Sequence, residues 1–341
     1  MPPPRPTAPP RAAAPPAPAP APGAVSISEV AELAGVSIAT VSRVLNGSKP
    51  VSPQTRQRVE AAVARLGYRA NPFARSLMSG RSRLVLVLVP DFANPFFAGI
   101  VNGIEAVTLR EGYKIVLSGP QSSLESVYEG MVDGVISMAH EPMPEALAQR
   151  GFPWIACSEF LPDADVPCVS IDHQQAAIDA VQFLINRGHR RIALLSAQED
   201  NTWAQQRHAG YEQALARAGL EVKPAYIRVA RGTDYNCGME AAGGLLALPE
   251  PPTAVFAVSD TLAIGAIKAF RRAGLRVPQD IAVVGFDNIP LSEVFEPSLT
   301  TIAQPMHELG TRAAELLMQR LAGGQPASEK LQHMLVMRES A

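Results

Sequence analysis

Arg43 lies in the stretch Ser37-Ile-Ala-Thr-Val-Ser-Arg-Val-Leu-Asn46, where apolar residues recur at a helical spacing. Val41, Val44 and Leu45 share the inward face, which leaves Ile38, Ala39, Ser42 and Arg43 outward. A guanidinium on such a face can donate two parallel hydrogen bonds to guanine O6 and N7. Small apolar groups such as Ile38 and Ala39 suit a thymine methyl. Thr40, Ser48, Thr55, Arg56 and Arg58 carry donors of the kind that hold phosphate and fix position rather than sequence. Asn46, at the end of the same stretch, is counted with this DNA-facing set.

A second set of side chains follows strand-like apolar runs. Asp91, Asn94 and Phe97 come after 84–89, Asn201, Trp203 and Arg207 after 191–195, Ser259 after 254–258, and Asp287 after 281–286. In parallel sheets, ligands bind beyond the carboxyl ends of the strands. An aromatic face can stack on a sugar or a base, and Arg and Asp can read hydroxyls or ring nitrogens. Asp260 opens an apolar helical run, where a carboxylate favours the helix dipole, so it reads as structural. Phe96 reads as core, His189 as a turn histidine, and Tyr235 as a weaker ligand candidate.

The residues for bond-making chemistry do not assemble. The chain has no GxSxG elbow, no P-loop, no GxGxxG after a strand and no HExxH. His140-Glu141 and His307-Glu308 are adjacent in sequence without a nucleophile or metal partner. Three cysteines are few, odd in number and unpatterned, which argues against a disulfide framework, a zinc site or any metal. Neither an enzyme nor a cofactor is expected.

The elements that must position the first set are three short helices. Ser26 and Glu29 form an S-x-x-E capping box, with Val25 and Val30 as the staple around it. Val30, Ala31 and Ala34 make the inward face, and Gly35 ends the helix. Ser37 caps the second helix after a tight Gly35-Val36-Ser37 turn, which is helix-turn-helix spacing. Ser52-Pro53 starts the third, with Val59, Ala62, Val63 and Leu66 inward and Gly67 as the stop. Residues 71–83 can form one more short helix, too short to stand alone.

From residue 84 apolar runs of strand length alternate with amphipathic stretches. Strands are expected at 84–89, 114–118, 134–137, 154–157, 168–171, 191–195, 254–258 and 281–286, and helices at 95–110, 174–186, 203–218, 261–273 and 306–321. Repeated βα units argue parallel sheets covered on both faces, in two lobes. Charge divides the chain at the same place. Residues 1–83 hold 11 Lys and Arg against 3 Asp and Glu, and the rest hold 19 against 29, so the formal net charge of −2 conceals a basic head on an acidic body. The apolar runs fall far below the roughly 18 residues of a membrane span. Residues 1–24 hold 11 of the 31 prolines and no Leu-rich stretch, so they read as a disordered tail rather than a secretion signal, and a cytoplasmic location is expected.

The stretch ISEVAELAGVSIATVSRVLN (27–46) resembles the head of the lactose-repressor (LacI/GalR) family of bacterial regulators. ANPFFAGI (93–100), RGHRRIALL (187–195), PPTAVFAVSDTLAIGA (251–266), GLRVPQDIAVVGFDN (274–288) and PSLTTIAQP (297–305) resemble it too, in order, over residues 25 to about 338. Within the family, SEFLPDADVPCVSIDH (158–173) and GFDNIPLSEVFEPSLTTIAQP (285–305) are most like the cytidine-repressor branch.

The resemblance implies a small all-α helix-turn-helix head and an α/β body of two Rossmann-like lobes, similar to periplasmic binding proteins. It implies a regulator, a repressor, that binds palindromic double-stranded operator DNA under the control of a sugar or nucleoside held between the lobes. The implied organisation is a tail (1–24), a head (25–70), a hinge helix and linker (71–83) and a body (84–338), with lobe 1 at about 84–171 plus 302–324 and lobe 2 at about 172–297 plus 328–338. In the family a hinge leucine enters the minor groove, and Leu77 is the matching residue; an apolar wedge there kinks the duplex. Phe97, Arg207 and Asp287 match the aromatic wall, Arg and Asp of family effector sites, whereas Trp203 stands where a small polar residue is usual. No leucine heptad follows Met334–Met337, so a homodimer is expected. Between Ser118 and Val132 the chain reads GPQSSLESVYEGM, about eight residues (two helical turns) shorter than usual in the family.

Overall fold

The computed structural model describes residues 25–46, 50–68, 81–119, 131–139, 152–158, 166–198 and 201–341. They fall into two compact units divided between Gly80 and Arg81. The expectations for the tail, Ser48, Leu77 and most of the short segment before Val132 lie outside the described residues.

The first unit holds α1 (Ile27–Ala34), α2 (Ile38–Asn46) and α3 (Pro53–Leu66). The Ser26 hydroxyl accepts from the Glu29 N–H at 3.3 Å, and the Glu29 carboxylate accepts from the Ser26 N–H at 2.7 Å, so the capping box is complete. Gly35 takes a left-handed conformation at φ 63°, which turns the chain into α2 without a Cβ penalty. Val30, Ala31, Ala34, Val41, Val44, Val59 and Ala62 form the buried centre. Val63, Leu66 and Leu45 pack against it only partly buried, since three helices of 8, 9 and 14 residues have little interior to offer.

The second unit is built from βα repeats: β1 (Leu84–Leu88), α4 (Pro95–Arg110), β2 (Lys114–Ser118), β3 (Gly134–Ser137), β4 (Trp154–Cys157), β5 (Cys168–Ile171), α5 (His173–Asn186), β6 (Ile192–Ser196), α6 (Thr202–Arg217), β7 (Ile227–Val229), α7 (Tyr235–Leu246), β8 (Ala254–Ala257), α8 (Asp260–Arg272), β9 (Ala282–Asp287), α9 (Leu291–Val294), β10 (Thr300–Ala303), α10 (Met306–Leu321), β11 (Glu329–Leu331) and β12 (Met334–Val336). Among the described residues two six-stranded sheets result, ordered β11-β5-β4-β3-β1-β2 and β12-β10-β9-β8-β6-β7. Every pairing is parallel except β10 with β12. Strand cores such as Val85, Val87, Ile155, Leu194, Phe256 and Val284 are buried, as parallel strands covered on both faces require.

Every expected strand and helix of the body forms to within a residue or so. Sequence reasoning missed β7, α7, α9, β10, β11 and β12. The helix α7, YNCGMEAAGGLL, carries Gly238, Gly243 and Gly244, each a poor helix former in isolation. Tertiary packing overrides that preference. A Cβ at Gly238 would strike the backbone of Leu262, and one at Gly265 would strike that of Tyr235, so glycines let α7 and α8 lie against each other.

Two boundaries differ from expectation. β10 pairs with β9 in the second sheet, so the chain returns to the first lobe at Gln304–Pro305, after the strand and not at 302. β11 pairs with β5 in the first sheet, so 328–338 is shared between the lobes, with only β12 in the second. Each of these short strands covers an edge whose backbone groups would otherwise lack partners. The end of the expected linker is also tied down. The Ser82 N–H and hydroxyl donate to Asp133 Oδ1 at 2.7 and 2.8 Å, and the Arg83 N–H donates to Oδ2 at 3.1 Å.

Candidate ligand cleft and nucleic-acid interface

In the first unit, burial of Val41 and Val44 turns the opposite face of α2 outward. Ile38 is 48% exposed, large for an isoleucine, and Ala39 and Arg43 are exposed beside it. Ser42 is half-buried. The expected phosphate donors Thr40 and Thr55 have a second task. The Thr40 N–H donates to the Ser37 hydroxyl at 3.2 Å, and the two hydroxyls share a hydrogen bond at 2.9 Å. Ser52 and Thr55 repeat the arrangement at the start of α3. The two threonines therefore fix helix starts, where orphan N–H groups also favour an anion. Arg56 is exposed on α3, and Asn46 is the last residue of α2.

In the body, Asp91, Asn94, Phe97, Asn201, Trp203, Arg207, Ser259 and Asp287 all line one cleft. They come from both lobes because the carboxyl ends of both sheets face it. Several hold their own loops in shape. Asp91 Oδ1 accepts from the Ala93 N–H at 2.8 Å, and Asn94 caps α4 through the Phe96 N–H at 3.1 Å. Asn201 precedes α6 and donates to the Gln198 carbonyl at 3.3 Å. Ser259 caps α8, accepting from the Leu262 N–H at 3.3 Å. Phe97 is half-buried and sits edge-on to Phe96, their ring centroids 5.3 Å apart. Phe96 itself is buried, as expected, although it also borders the cleft.

Arg207 is only 4% exposed and anchors the inner wall. Its guanidinium lies 4.6 Å from the Trp203 ring centroid and 3.6 Å from that of Phe286. It donates to the Val258 carbonyl and, from Nε and Nη2, to His173 Nδ1 at 3.4 and 3.2 Å. Asp287 Oδ1 is 3.8 Å from Nη1 and accepts from Gln304 Nε2 at 2.7 Å. Burial pushes the Asp287 carboxyl up to about 7; the nearby Arg207 works against that rise and Asp260 adds to it. Asp287 also holds φ at 121°, outside the usual range for a residue with a side chain.

Asp260 lies outside the cleft lining and is fully buried. Its carboxylate accepts from Thr301 Oγ1 at 2.5 Å, Ser292 Oγ at 2.6 Å and the Ile289 N–H at 2.9 Å, so it ties α8 to the segments after β9. Asp260 is structural, as read from the sequence, but not as a cap: Ser259 caps α8, and the Asp260 carboxylate, in the first turn, serves a tertiary cross-link. His189 likewise makes a loop contact, Nδ1 to Thr253 Oγ1 at 3.1 Å. Tyr235 is not in the cleft lining. Sequence reasoning missed Met138, Ser158, Gln198, Arg231 and Thr233 in the lining, and His173 behind it. Arg231 follows β7, so the strand-end rule would have found it had that three-residue strand been legible.

Family comparisons match the same two units. The model for bacterial regulatory proteins of the lacI family covers residues 26–71, and that for a periplasmic binding protein-like domain covers residues 181–341. The HTH-type transcriptional repressor CytR of Escherichia coli (strain K12) is 39% identical over 311 residues, spanning 88% of this chain and 91% of that protein. The chain belongs to the lacI family of bacterial regulatory proteins.

Its lacI-family fold agrees with solved structures. A transcriptional regulator CelR–cellobiose complex matches with a TM-score of 0.71 and 35% identity over 93% of this chain and all of that one. The Lac repressor dimer bound to operator and the anti-inducer ONPF matches at 0.82 and 30% identity over 93% and 99%. As a member of the lacI family, the chain is a DNA-binding transcriptional regulator under ligand control and not an enzyme. Among its described residues, no helix is long and apolar enough to cross a membrane, and no group of three His, Cys, Asp or Glu is placed to hold a metal ion.

Proposed function

We propose that this lacI-family chain is a repressor that reads a palindromic operator as a cytoplasmic homodimer and is released or tightened by a sugar or nucleoside held in the cleft. The observation that carries the reading is the convergence of Asp91, Asn94 and Phe97 from one lobe with Trp203, Arg207 and Asp287 from the other. A ligand that touches both lobes binds one lobe arrangement better than another, and that difference in affinity shifts the equilibrium between them. Linkage then makes operator and effector affinities depend on each other.

The division of labour follows from chemistry. Phe97 and Trp203 offer faces for a sugar or base ring, and Arg207, Asp287, Asp91, Asn94, Asn201 and Ser259 offer donors and acceptors for its polar edge. In the head, Arg43 with Ile38 and Ala39 reads base edges, while Thr40, Ser42, Asn46, Thr55 and Arg56 fix the position of α2 on the phosphates. Leu77 acts as the minor-groove wedge. A two-fold operator pairs naturally with two heads, and the Lac repressor relative was solved as a dimer on its operator.

The test joins a thermal-shift screen to operator footprinting. Cellobiose, ribose and cytidine serve as first probes, because a ligand bound to the native state raises apparent stability by mass action. The expected result is a rise in Tm with one class, a palindromic footprint, and a footprint that changes with that ligand. DNA binding that ignores both sequence and salt would remove the repressor reading.

A further inference from the structure

The cleft arginine is held by a residue from neither its own helix nor the cleft lining. His173 is the first residue of α5, packed within the second lobe, and is 1% exposed. Its Nδ1 receives Nε and Nη2 of Arg207, and its Nε2 lies 3.3 Å from the carbonyl oxygen of Ser158. Ser158 follows β4 of the first sheet, borders the cleft and takes φ 68°.

An arginine has donors only, so Nδ1 must present its lone pair. The proton of the neutral ring then sits on Nε2 and points at an oxygen that can only accept. Both contacts are satisfied by one tautomer and by no other protonation state. We propose that His173 is the positioning residue of Arg207: a neutral, Nε2-protonated imidazole that sets the cleft guanidinium from the second lobe while gripping the Ser158 carbonyl of the first. Any lobe motion that moves Ser158 is thereby felt at Arg207, and a ligand that fixes Arg207 biases the lobes in turn. This rests on the cleft being the effector site, but the tautomer and the link do not.

The surroundings keep the ring neutral. Arg207 faces it from α6, with Asp287 beyond Arg207. Asp172 precedes it in the chain, and Lys330 and His333 face α5 from the β11–β12 segment. Burial holds His173 well below the usual imidazole range; Arg207 adds to the effect, as do His333 and Lys330, and the Ser158 carbonyl works against it without reversing it. The N-terminus of α5 also disfavours a positive ring.

Histidine 15N spectra of the full chain test the assignment without any ligand, with His173 identified by its loss in His173→Asn. The expected result is a neutral ring with the proton on Nε2, slow to exchange, and unchanged from about pH 8 to about pH 5. A proton on Nδ1, or titration near the ordinary histidine value, overturns the proposal. Trp203 emission in a Trp154→Phe background tests positioning, since Arg207 lies over that ring. His173→Asn keeps an acceptor where Nδ1 stood and should leave emission unchanged, whereas His173→Leu should raise acrylamide quenching roughly twofold as the arginine leaves the ring. Equal behaviour of the two variants also overturns it. If the tautomer and emission results hold while no cleft ligand is found, the effector reading fails and this one stands.

Discussion

Arg207 Nη1 and Asp287 Oδ1 face each other at 3.8 Å with both side chains almost fully buried, and the carboxyl is nevertheless pushed up to about 7. Opposite charges at that distance usually lower a carboxyl pKa. Here burial outweighs the arginine, whose donors go to the Val258 carbonyl and His173, and the Asp260 carboxylate adds repulsion. The pair thus borders the cleft with the carboxyl held above its ordinary range by burial.

The first prediction concerns pH. Unfolded, Asp287 ionises near the ordinary carboxylate value, and in the fold it ionises near 7. The fold favours the protonated form, so this contribution is fully present below the ordinary value and is lost as pH rises through about 7. Asp260, raised to about 6 by burial, has the same sign. Asp287→Asn should therefore flatten the loss of stability between about pH 4 and about pH 7, a difference of up to a few kcal/mol. Urea unfolding at both ends of that window measures it, and an unchanged slope would contradict the assignment.

Arg207→Lys should weaken the ligand found in the screen by about tenfold or more, because an ammonium cannot replace a planar fork that stacks between Trp203 and Phe286. Calorimetric titration reads the effect. Affinity equal to the parent protein would take Arg207 out of the site.

Two glycines should respond in opposite directions. A Cβ at Gly310 on α10 would strike the Ile100 carbonyl on α4, so Gly310→Ala should cost about 1–3 kcal/mol by overpacking. Gly243 on α7 faces open space, so Gly243→Ala should gain about 0.4–1 kcal/mol. Denaturant midpoints of the two variants should move apart.

At the head, Arg43→Ala should cost about 1–3 kcal/mol at the operator and relax the preference at one base pair. Arg56→Ala should weaken all sequences alike and reduce the salt slope by about one. Titrations on operator and scrambled DNA at several salt concentrations separate the two, and identical behaviour would mean both residues contact phosphate.

Much of this was legible because the chain's local signals agree with one another. The Ser26–Glu29 box, the Gly35 turn and the Ser37 cap each require only neighbours in sequence, so the head could be drawn residue by residue. Strands such as 134–137 and 154–157 are buried on both faces, which leaves an apolar run that ends where the cleft-lining loops begin. The strand-end rule therefore reached Asp91, Trp203, Arg207 and Asp287 together. It could not reach Arg231, because β7 is three residues long, nor α7, whose glycines read as loop.

The sequence by itself determined the two-part organisation, the capped helices of the head, the order of the βα units and the identity of the side chains around the cleft, since periodicity and caps act over a few residues. Only the tertiary structure decided that β11 and β12 belong to different sheets and that His173 stands between Arg207 and Ser158. Those relationships join residues far apart in the chain, and they exist only where packing brings a donor and an acceptor into one water-free place, where an unpaired polar group is costly and the pairing must be chosen by the whole fold.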